Sequence, residues 1–180
     1  MNWTFSDGNT GSQGTGGGLS ASGNTTVNIT ATNDAPVLSG SITLDPITED
    51  EFNNSGTLVR DLVDTESTDP DSGALKGIAL LYADKTNGDW EYTLDGTNWT
   101  TVGTPSSSAA LLLAADNTTR FRFVPNPNFA GDSGMIFIRA WDQTSDVAGG
   151  TANVDASGGS TAFSSAFFGA SVSVTPDNDA

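Results

Sequence analysis

The chain has 180 residues and a formal net charge of −16, because it carries 22 Asp and Glu against 6 Lys and Arg. This balance excludes nucleic acid as an expected partner, since phosphate binding needs clusters of Lys and Arg. The absence of Cys and His excludes disulfides, thiolate chemistry and the commonest general base, and no apolar run approaches the roughly 18–20 residues of a membrane-spanning helix. We therefore expect a protein that is neither an enzyme nor inserted into a membrane.

Short alternating segments, joined by turns rich in Gly, Ser and Asn, predict an all-β fold. The first such segment is TTVNITAT, residues 25–32. Further strands are predicted in LVRDLV (58–63), KGIALLYA (76–83) and WEYTLDGTNWTTV (90–102). The last segment is typical of a hairpin, because its Asp95-Gly96 pair is a strong turn dipeptide.

The next two segments lie side by side in the sequence and read as buried strands. SSSAALLLAADN (106–117) permits a helical turn, but a buried strand over Leu111–Leu113 fits its neighbours better. In TTRFRFVP (118–125), the period-two pattern places Phe121 and Phe123 on one face and two arginines on the other. Both segments are predicted to contribute to the core of a sandwich.

The C-terminal region carries two more predicted strands with a long connection between them. MIFIRAWD (135–142) places Ile136, Ile138 and Ala140 on one face, and GASVSVTP (169–176) buries its two valines. The connection, residues 144–165, lacks periodicity. We predict that it is a long surface loop or loose hairpin, too poor in apolar residues to order itself.

An internal repeat links the two ends of the chain. Residues 3–36 and 138–180 show the same order of features: an aromatic-containing strand, an aspartate, a Gly- and Ser-rich excursion, an alternating Val strand and then Asn-Asp-Ala. This predicts a fragment cut from a tandem array. The predicted parts are 1–32, the C-terminal strands of a preceding truncated repeat; 33–36, an inter-repeat linker; 37–176, one complete repeat; and 177–180, the start of the next linker.

Several motifs together resemble one known family. They are NDAPVL at the start of the unit, ITEDE, DPDSGALKGIAL, WEYTLDGTNWTTVG, RFVPNPNFAGDSG, RAWDQTS and the closing VTPDNDA. This set resembles the cadherin-like repeats of large bacterial surface and secreted adhesins, including those of the repeats-in-toxin type, over residues 33–180. The resemblance implies an antiparallel Greek-key β-sandwich of the cadherin or immunoglobulin type, with Ca²⁺ bound where consecutive repeats meet, on the bacterial cell surface.

The resemblance also implies calcium ligands at both ends of the repeat. In the upper site of such repeats, an Asp-x-Asp turn, an aspartate at a strand end and the Asn-Asp of the preceding linker converge; the matching residues here are Asp69, Asp71, Asp142, Asn33 and Asp34. The matching residues of the lower site are Glu49 or Glu51, with Asn178 and Asp179, and Asp177 and Asp132 are further candidates. Carboxylate and amide oxygens are the ligands that Ca²⁺ prefers.

Two departures from the family pattern make the lower site the poorer match. EDEF stands where cadherins have Pro-Glu-Asn, and FAGDSG replaces a Leu-Asp-Arg-Glu motif that ordinarily supplies two ligands. For the Asp69–Asp71 turn, an ordinary solvated β-turn is the alternative interpretation.

Three functions remain open at the level of sequence. The first is a calcium-stiffened extender module that has neighbouring repeats of the same chain as partners and serves cell adhesion. The second is an adhesion module that binds a glycan or a cell-surface protein through the 144–165 loop or through Trp90 and Trp99. The rings of these tryptophans could stack on sugars, although paired tryptophans on a hairpin are more often core residues or cross-strand pairs. The third is self-association, in which residues 25–32 add a strand to another chain's sheet.

Overall fold

The computed structural model describes residues 2–6 and 20–178, and the chain forms two compact units, residues 1–32 and 33–180. The boundary falls at the position where the sequence analysis places the start of the linker. In chain order the elements are β1 (Asn2–Ser6), β2 (Ser20–Asn24), β3 (Val37–Leu38), β4 (Ile47–Thr48), β5 (Thr57–Leu58), α1 (Val59–Val63), β6 (Ser67–Thr68), β7 (Gly77–Ala83), β8 (Gly88–Thr93), β9 (Thr100–Thr101), β10 (Ala110–Ala114), β11 (Arg120–Pro125), β12 (Gly131–Asp132), β13 (Ile136–Trp141), β14 (Thr151–Ala152), β15 (Phe168–Ala170) and β16 (Ser173–Thr175).

The first unit contains an antiparallel hairpin of β1 and β2, in register from Asn2 opposite Asn24 to Ser6 opposite Ser20. The strand predicted at residues 25–32 is wrong, because this segment joins no β-ladder. Val27 and Ile29 are 66% and 91% exposed. Alternation predicts a strand only where a neighbouring strand receives the backbone hydrogen bonds, and the strands described in this unit, β1 and β2, lie earlier in the chain. Self-association through residues 25–32 stays a prediction.

The second unit is an all-β fold, as predicted, with a β-sandwich-like core. One sheet has five strands in the order β14-β10-β7-β13-β15, and another has four in the order β5-β11-β8-β9. Both are antiparallel throughout. The strands predicted over residues 76–83, 90–102, 111–113, 118–125 and 135–142 are confirmed by these sheets.

The core lies where the inward faces of these sheets meet. The five-stranded sheet contributes Leu80 and Ile138, and the four-stranded sheet contributes Trp90, Phe121 and Phe123, all at most 1% exposed. Phe121 and Phe123 occupy the apolar positions of a period-two pattern, so alternation sets the buried face of that strand. Leu80 and Ile138 lie in continuous apolar runs, which are typical of strands covered on both faces.

The segment LVRDLV is not a strand, so that prediction is wrong. After β5, residues Val59–Val63 form one turn of helix whose buried side chains are Val59, Leu62 and Val63. Apolar residues at i, i+3 and i+4 lie on one face of a helix but on both faces of a strand. The β-branched residues of this segment favour a strand, whereas the spacing of its apolar residues agrees with the helix.

A third sheet joins the beginning of the second unit to its end. It has the order β12-β16-β4, and its β16–β4 pair is parallel, with Val174 opposite Ile47 and Thr175 opposite Thr48. This pair departs from the antiparallel arrangement expected for the whole sandwich. Parallel strands need a long connection, and here the entire fold between the two strands supplies it.

The region predicted to be a loose surface loop, residues 144–165, is ordered against the five-stranded sheet. Its Ala152, Val154 and Phe163 are at most 7% exposed and form a second apolar cluster with Leu112 and Trp141 on the outer face of that sheet. The prediction is wrong because a few apolar residues are enough to order the segment when the apolar face of a sheet is already present for them to pack against. No helix in the described part of the chain is long and apolar enough to cross a membrane.

Two aspartates hold tight turns, Asp95 within the four-stranded sheet and Asp116 in the connection from β10 to β11. In the predicted β8–β9 hairpin, Asp95 Oδ1 accepts hydrogen bonds from the backbone nitrogens of Asn98 and Thr97 at 2.8 and 2.9 Å. Bonds from Asn98, Thr97 and Thr93 lower the pKa of Asp95 from its ordinary value. Burial raises the pKa of Asp116, but bonds from Thr119 and Thr118 outweigh that effect and leave it lowered.

These turns predict a loss of stability in acid. Because the folded-state pKa is depressed, the contribution is fully present above the unfolded-state pKa of about 3.9 and is lost as the pH falls toward the folded-state value. We expect Asp95→Asn to be destabilising at pH 6 and to show a smaller loss of stability between pH 6 and pH 3 than the unmodified protein. Urea midpoints at the two pH values measure this difference. An unchanged pH dependence in Asp95→Asn would contradict it.

Candidate metal centre

The linker residues at the start of the second unit contact two separate parts of the fold. Asn33 Nδ2 donates to Asp142 Oδ2 at 2.8 Å and to the carbonyl of Thr161 at 3.2 Å. The backbone nitrogen of Asp34 donates to Asp71 Oδ2 at 2.8 Å. The linker therefore lies between a strand end and a turn, both of which carry predicted ligands.

The turn that contains Asp69 and Asp71 is positioned by a short antiparallel pair of strands. β3 pairs with β6, with Val37 opposite Thr68. The linker precedes β3 and the turn follows β6, so antiparallel pairing places both at the same end of this ladder. Local chemistry then closes the turn, because the backbone nitrogen of Asp71 donates to Asp69 Oδ1 at 2.8 Å.

Asp142 lies at the end of β13 and is only 2% exposed. Its Oδ1 accepts from the backbone nitrogen and the hydroxyl of Thr144, at 2.8 and 2.6 Å. Its Oδ2 accepts from Asn33, as described above. Both oxygens of this buried carboxylate thus receive protein donors, and one of these donors comes from the linker.

The structure brings all five predicted upper ligands into one chain of contacts, which runs Asp142, Asn33, Asp34, Asp71, Asp69. Within residues 2–6 and 20–178, no group of three or more His, Cys, Asp or Glu side chains lies close enough together to hold a metal ion. The contacts between the predicted ligands instead pass through the linker backbone and the Asn33 amide.

One atom in this cluster lacks the partner that its burial requires. Asp69 Oδ2 is buried and accepts no hydrogen bond from the described residues, whereas Asp69 Oδ1 is bonded. A buried acceptor without a partner costs about 1–3 kcal/mol, and more when it is charged. A hard cation is one partner that satisfies such a carboxylate oxygen.

The predicted lower ligands come together only in part. Glu49 is 6% exposed, and its Oε1 accepts from the backbone nitrogen of Asp177 at 2.8 Å. The parallel β16–β4 pair makes this contact, because the backbone nitrogen of Glu49 also donates to the carbonyl of Thr175 at 3.0 Å. Asn178 follows, and its backbone nitrogen donates to Asp177 Oδ1 at 2.8 Å.

The remaining lower candidates have other local partners. Glu51 Oε2 accepts from the backbone nitrogen of Thr48 at 2.8 Å and so closes its own turn. Asp132 accepts from Gly134 and from the Ser171 hydroxyl, each at 3.0 Å. Asp179 lies outside the described residues.

Sequence reasoning missed the contribution of the 144–165 region to the upper cluster. Besides the Thr161 carbonyl that Asn33 contacts, the carbonyl of Gly159 accepts from the backbone nitrogen of Ala35 at 2.8 Å. Gly158 and Gly159 have φ values of 75° and 61°, which favour glycine. The Gly-Gly pair signalled a turn, but nothing in the sequence signalled that the turn holds the linker.

The two tryptophans proposed as a sugar platform have other roles. Trp90 is fully buried and stacks on Phe121 with ring centroids 4.8 Å apart, so its assignment to an exposed binding surface is wrong. The Trp99 ring is half-buried and lies 3.9 Å from the Arg122 guanidinium carbon. It covers this arginine and its ion pair with Glu91.

Comparison with known proteins adds no relative: no protein-family model matches the chain, and no curated protein or solved structure matches it significantly.

Proposed function

We propose that this protein is a calcium-binding structural module, a cadherin-like Greek-key repeat that acts as an extender in a large bacterial cell-surface adhesin. The observation that carries the proposal is the buried, unpartnered Oδ2 of Asp69, in a cluster where linker, turn and strand end are already in contact. The cluster lies where the linker enters the unit, which is the position that a spacer needs for an ion that stiffens the junction.

The residues that would hold the ion are Asp69, Asp71 and Asp142, with the amide oxygen of Asn33. Asn33 fits because its Nδ2 is the atom that donates to Asp142, which leaves its amide oxygen for a cation. Bound Ca²⁺ supplies positive charge that offsets the repulsion between these carboxylates and satisfies the Asp69 oxygen.

The consequence of binding would be a fixed linker. Without the ion, the described contacts of the linker are its hydrogen bonds to Asp142, Thr161, Asp71 and Gly159. Extracellular calcium modules work with dissociation constants of about 10⁻⁴–10⁻³ M, and this range suits a site that contains an amide and partly exposed carboxylates. A chain with a net charge of −16 also has a surface that attracts divalent cations.

The test is a calorimetric calcium titration of the protein and of Asp69→Asn/Asp71→Asn, with thermal melts in calcium and in chelator. We expect saturable binding and a higher melting temperature in calcium, since binding to the folded state alone stabilises it, by about 2.7 kcal/mol at one hundred times the dissociation constant. Both effects should disappear in the double variant.

The matched control is Asp45→Asn/Asp61→Asn, which removes the same charge from two exposed residues outside the cluster. This control should bind and melt like the unmodified protein. Equal loss of binding in both double variants would show general attraction by the acidic surface. No binding by the unmodified protein would reduce the Asp69–Asp71 segment to a solvated turn.

A further inference from the structure

The outer face of the five-stranded sheet is covered over only part of its area. The apolar cluster around Trp141 and Phe163 covers one part. Further along the same face lies a group that we call the aromatic patch, defined by Tyr82, Met135, Phe137 and Phe167. Tyr82, Met135 and Phe167 are 45%, 41% and 54% exposed, which is unusual for large apolar side chains that adjoin one another.

The aromatic patch is continuous because its rings contact each other across strands. The Tyr82 and Phe137 centroids are 5.8 Å apart, and Phe167 meets Phe137 edge-on at 5.7 Å. Gly169 lets the surface close up, since a Cβ there would collide with the Met135 methyl group and lie 2.9 Å from Phe137 Cε1. The side chains of Met135 and Phe137 thus lie close against the backbone of β15 at Gly169.

A positive charge borders this surface. Arg139 follows Phe137 by two residues on β13, and its guanidinium carbon lies 5.7 Å from the Phe167 ring centroid. Its Nη1 donates to the carbonyls of Ser164, at 2.8 Å, and Ser165. Among the described residues, no carboxylate lies within ion-pair distance of this guanidinium, although the chain has 22 acidic residues and only 6 basic ones.

We propose that the aromatic patch and Arg139 form a binding site for an acidic glycan, one that carries uronic acid residues. The apolar C–H face of a pyranose ring packs on exposed aromatic rings, and a sugar carboxylate pairs with an arginine that lacks an acidic partner. The site differs from the tryptophan surface considered at the sequence level and does not depend on calcium.

Charge and shape argue against the other occupants. A second copy of this chain would bring a net charge of −16, about four times that of a tetrasaccharide with one carboxylate on each sugar, so it would be repelled more strongly. Peptides are commonly recognised at sheet edges or in grooves, whereas the aromatic patch lies on the face of a sheet. An acidic sugar needs only a flat apolar surface for its ring and one positively charged side chain for its carboxylate.

The test is an NMR titration of isotope-labelled protein with a glucuronic acid tetrasaccharide. A glucose tetrasaccharide serves as the neutral probe, and a chelator is present so that calcium cannot bridge protein and sugar. We expect shift changes at the amides of Tyr82, Phe137, Arg139 and Phe167, and at least tenfold weaker binding of the neutral probe.

Variants then distinguish a loss of binding from a loss of folding. Phe167→Ala and Arg139→Gln should each raise the dissociation constant at least fivefold, while Val147→Ala, an exposed apolar residue elsewhere, should leave it unchanged. Arg139→Lys keeps the charge and should retain part of the affinity, and the melting temperature of each variant reports whether it folds. The proposal is overturned by no binding, by equal binding of the two probes, by Phe167→Ala binding like the unmodified protein, or by an acidic peptide causing the same shifts.

Discussion

Trp90→Ala is expected to lower the free energy of unfolding by about 3–5 kcal/mol, the range found when a buried Trp or Phe is truncated. Trp90 is 0% exposed, stacks on Phe121 and lies 4.9 Å from the Phe123 ring centroid. Its Nε1 also donates to the carbonyl of Asp84 at 2.9 Å. Alanine leaves a cavity in the core between the two sheets and leaves that carbonyl without its donor.

Urea unfolding followed by far-UV circular dichroism measures this loss without relying on tryptophan fluorescence. The control is Trp99→Ala, which removes a ring of equal size from a half-buried position and should cost less than half as much. Trp90→Phe keeps an aromatic ring in the core and should fall between the two variants. A loss below about 1.5 kcal/mol for Trp90→Ala would contradict the core position of this side chain.

Arg122→Met is expected to cost roughly 2–3 kcal/mol. Breaking a fully buried ion pair costs about 3–5 kcal/mol, and we reduce that figure because the Glu91 side chain is 23% exposed and the Arg122 side chain 8% exposed. Arg122 donates to Glu91 Oε2 from Nε and Nη2, at 2.9 and 2.7 Å, and its Nη1 donates to the carbonyl of Asn54 at 2.8 Å. Methionine leaves both acceptors without their donors.

A double-mutant cycle with Glu91→Gln isolates the pair. We expect a coupling energy above 1 kcal/mol for Arg122 with Glu91, because the Trp99 ring shields the guanidinium. The matched control is the Lys85–Asp89 pair, whose side chains are 32% and 59% exposed and whose coupling should stay below about 1 kcal/mol. Equal coupling energies for the two pairs would show that burial under Trp99 adds nothing.

The sequence pattern predicted the strands of the core but not the elements that depend on tertiary contacts. Phe121 and Phe123 alternate in a way that fixes both strand and buried face, and the structure confirms this. The helical turn at Val59–Val63 depends on packing, since β-branched residues favour strands until spacing and neighbours decide otherwise. Residues 25–32 alternate like a strand but form no β-ladder, because no neighbouring strand among the described residues pairs with them.

The candidate site was predictable to the extent that its residues belong to recognisable turns. Asp69 and Asp71 form a compact Asp-Pro-Asp turn, and the family resemblance paired them with Asn33 and Asp34 before any contact was known. The contact between Asn33 and the Thr161 carbonyl was not predictable, because backbone carbonyls leave no signature in the sequence. Glu49 and Glu51 are two residues apart in the sequence, yet only Glu49 contacts the segment around Asp177.

The parallel pairing of β4 with β16 determines how the second unit resists tension. If Asn33 and Asn178 are pulled apart, β16 is drawn from its C-terminal side. Once the contacts of the linker and of β3 have given way, β4 is drawn from its N-terminal side. Parallel strands loaded in this way are sheared along their length, so their hydrogen bonds bear the load together instead of opening one after another. The bonds from Glu49 to Thr175 and from Asp177 to Glu49 add to the same clamp, which closes the two ends of the unit against extension.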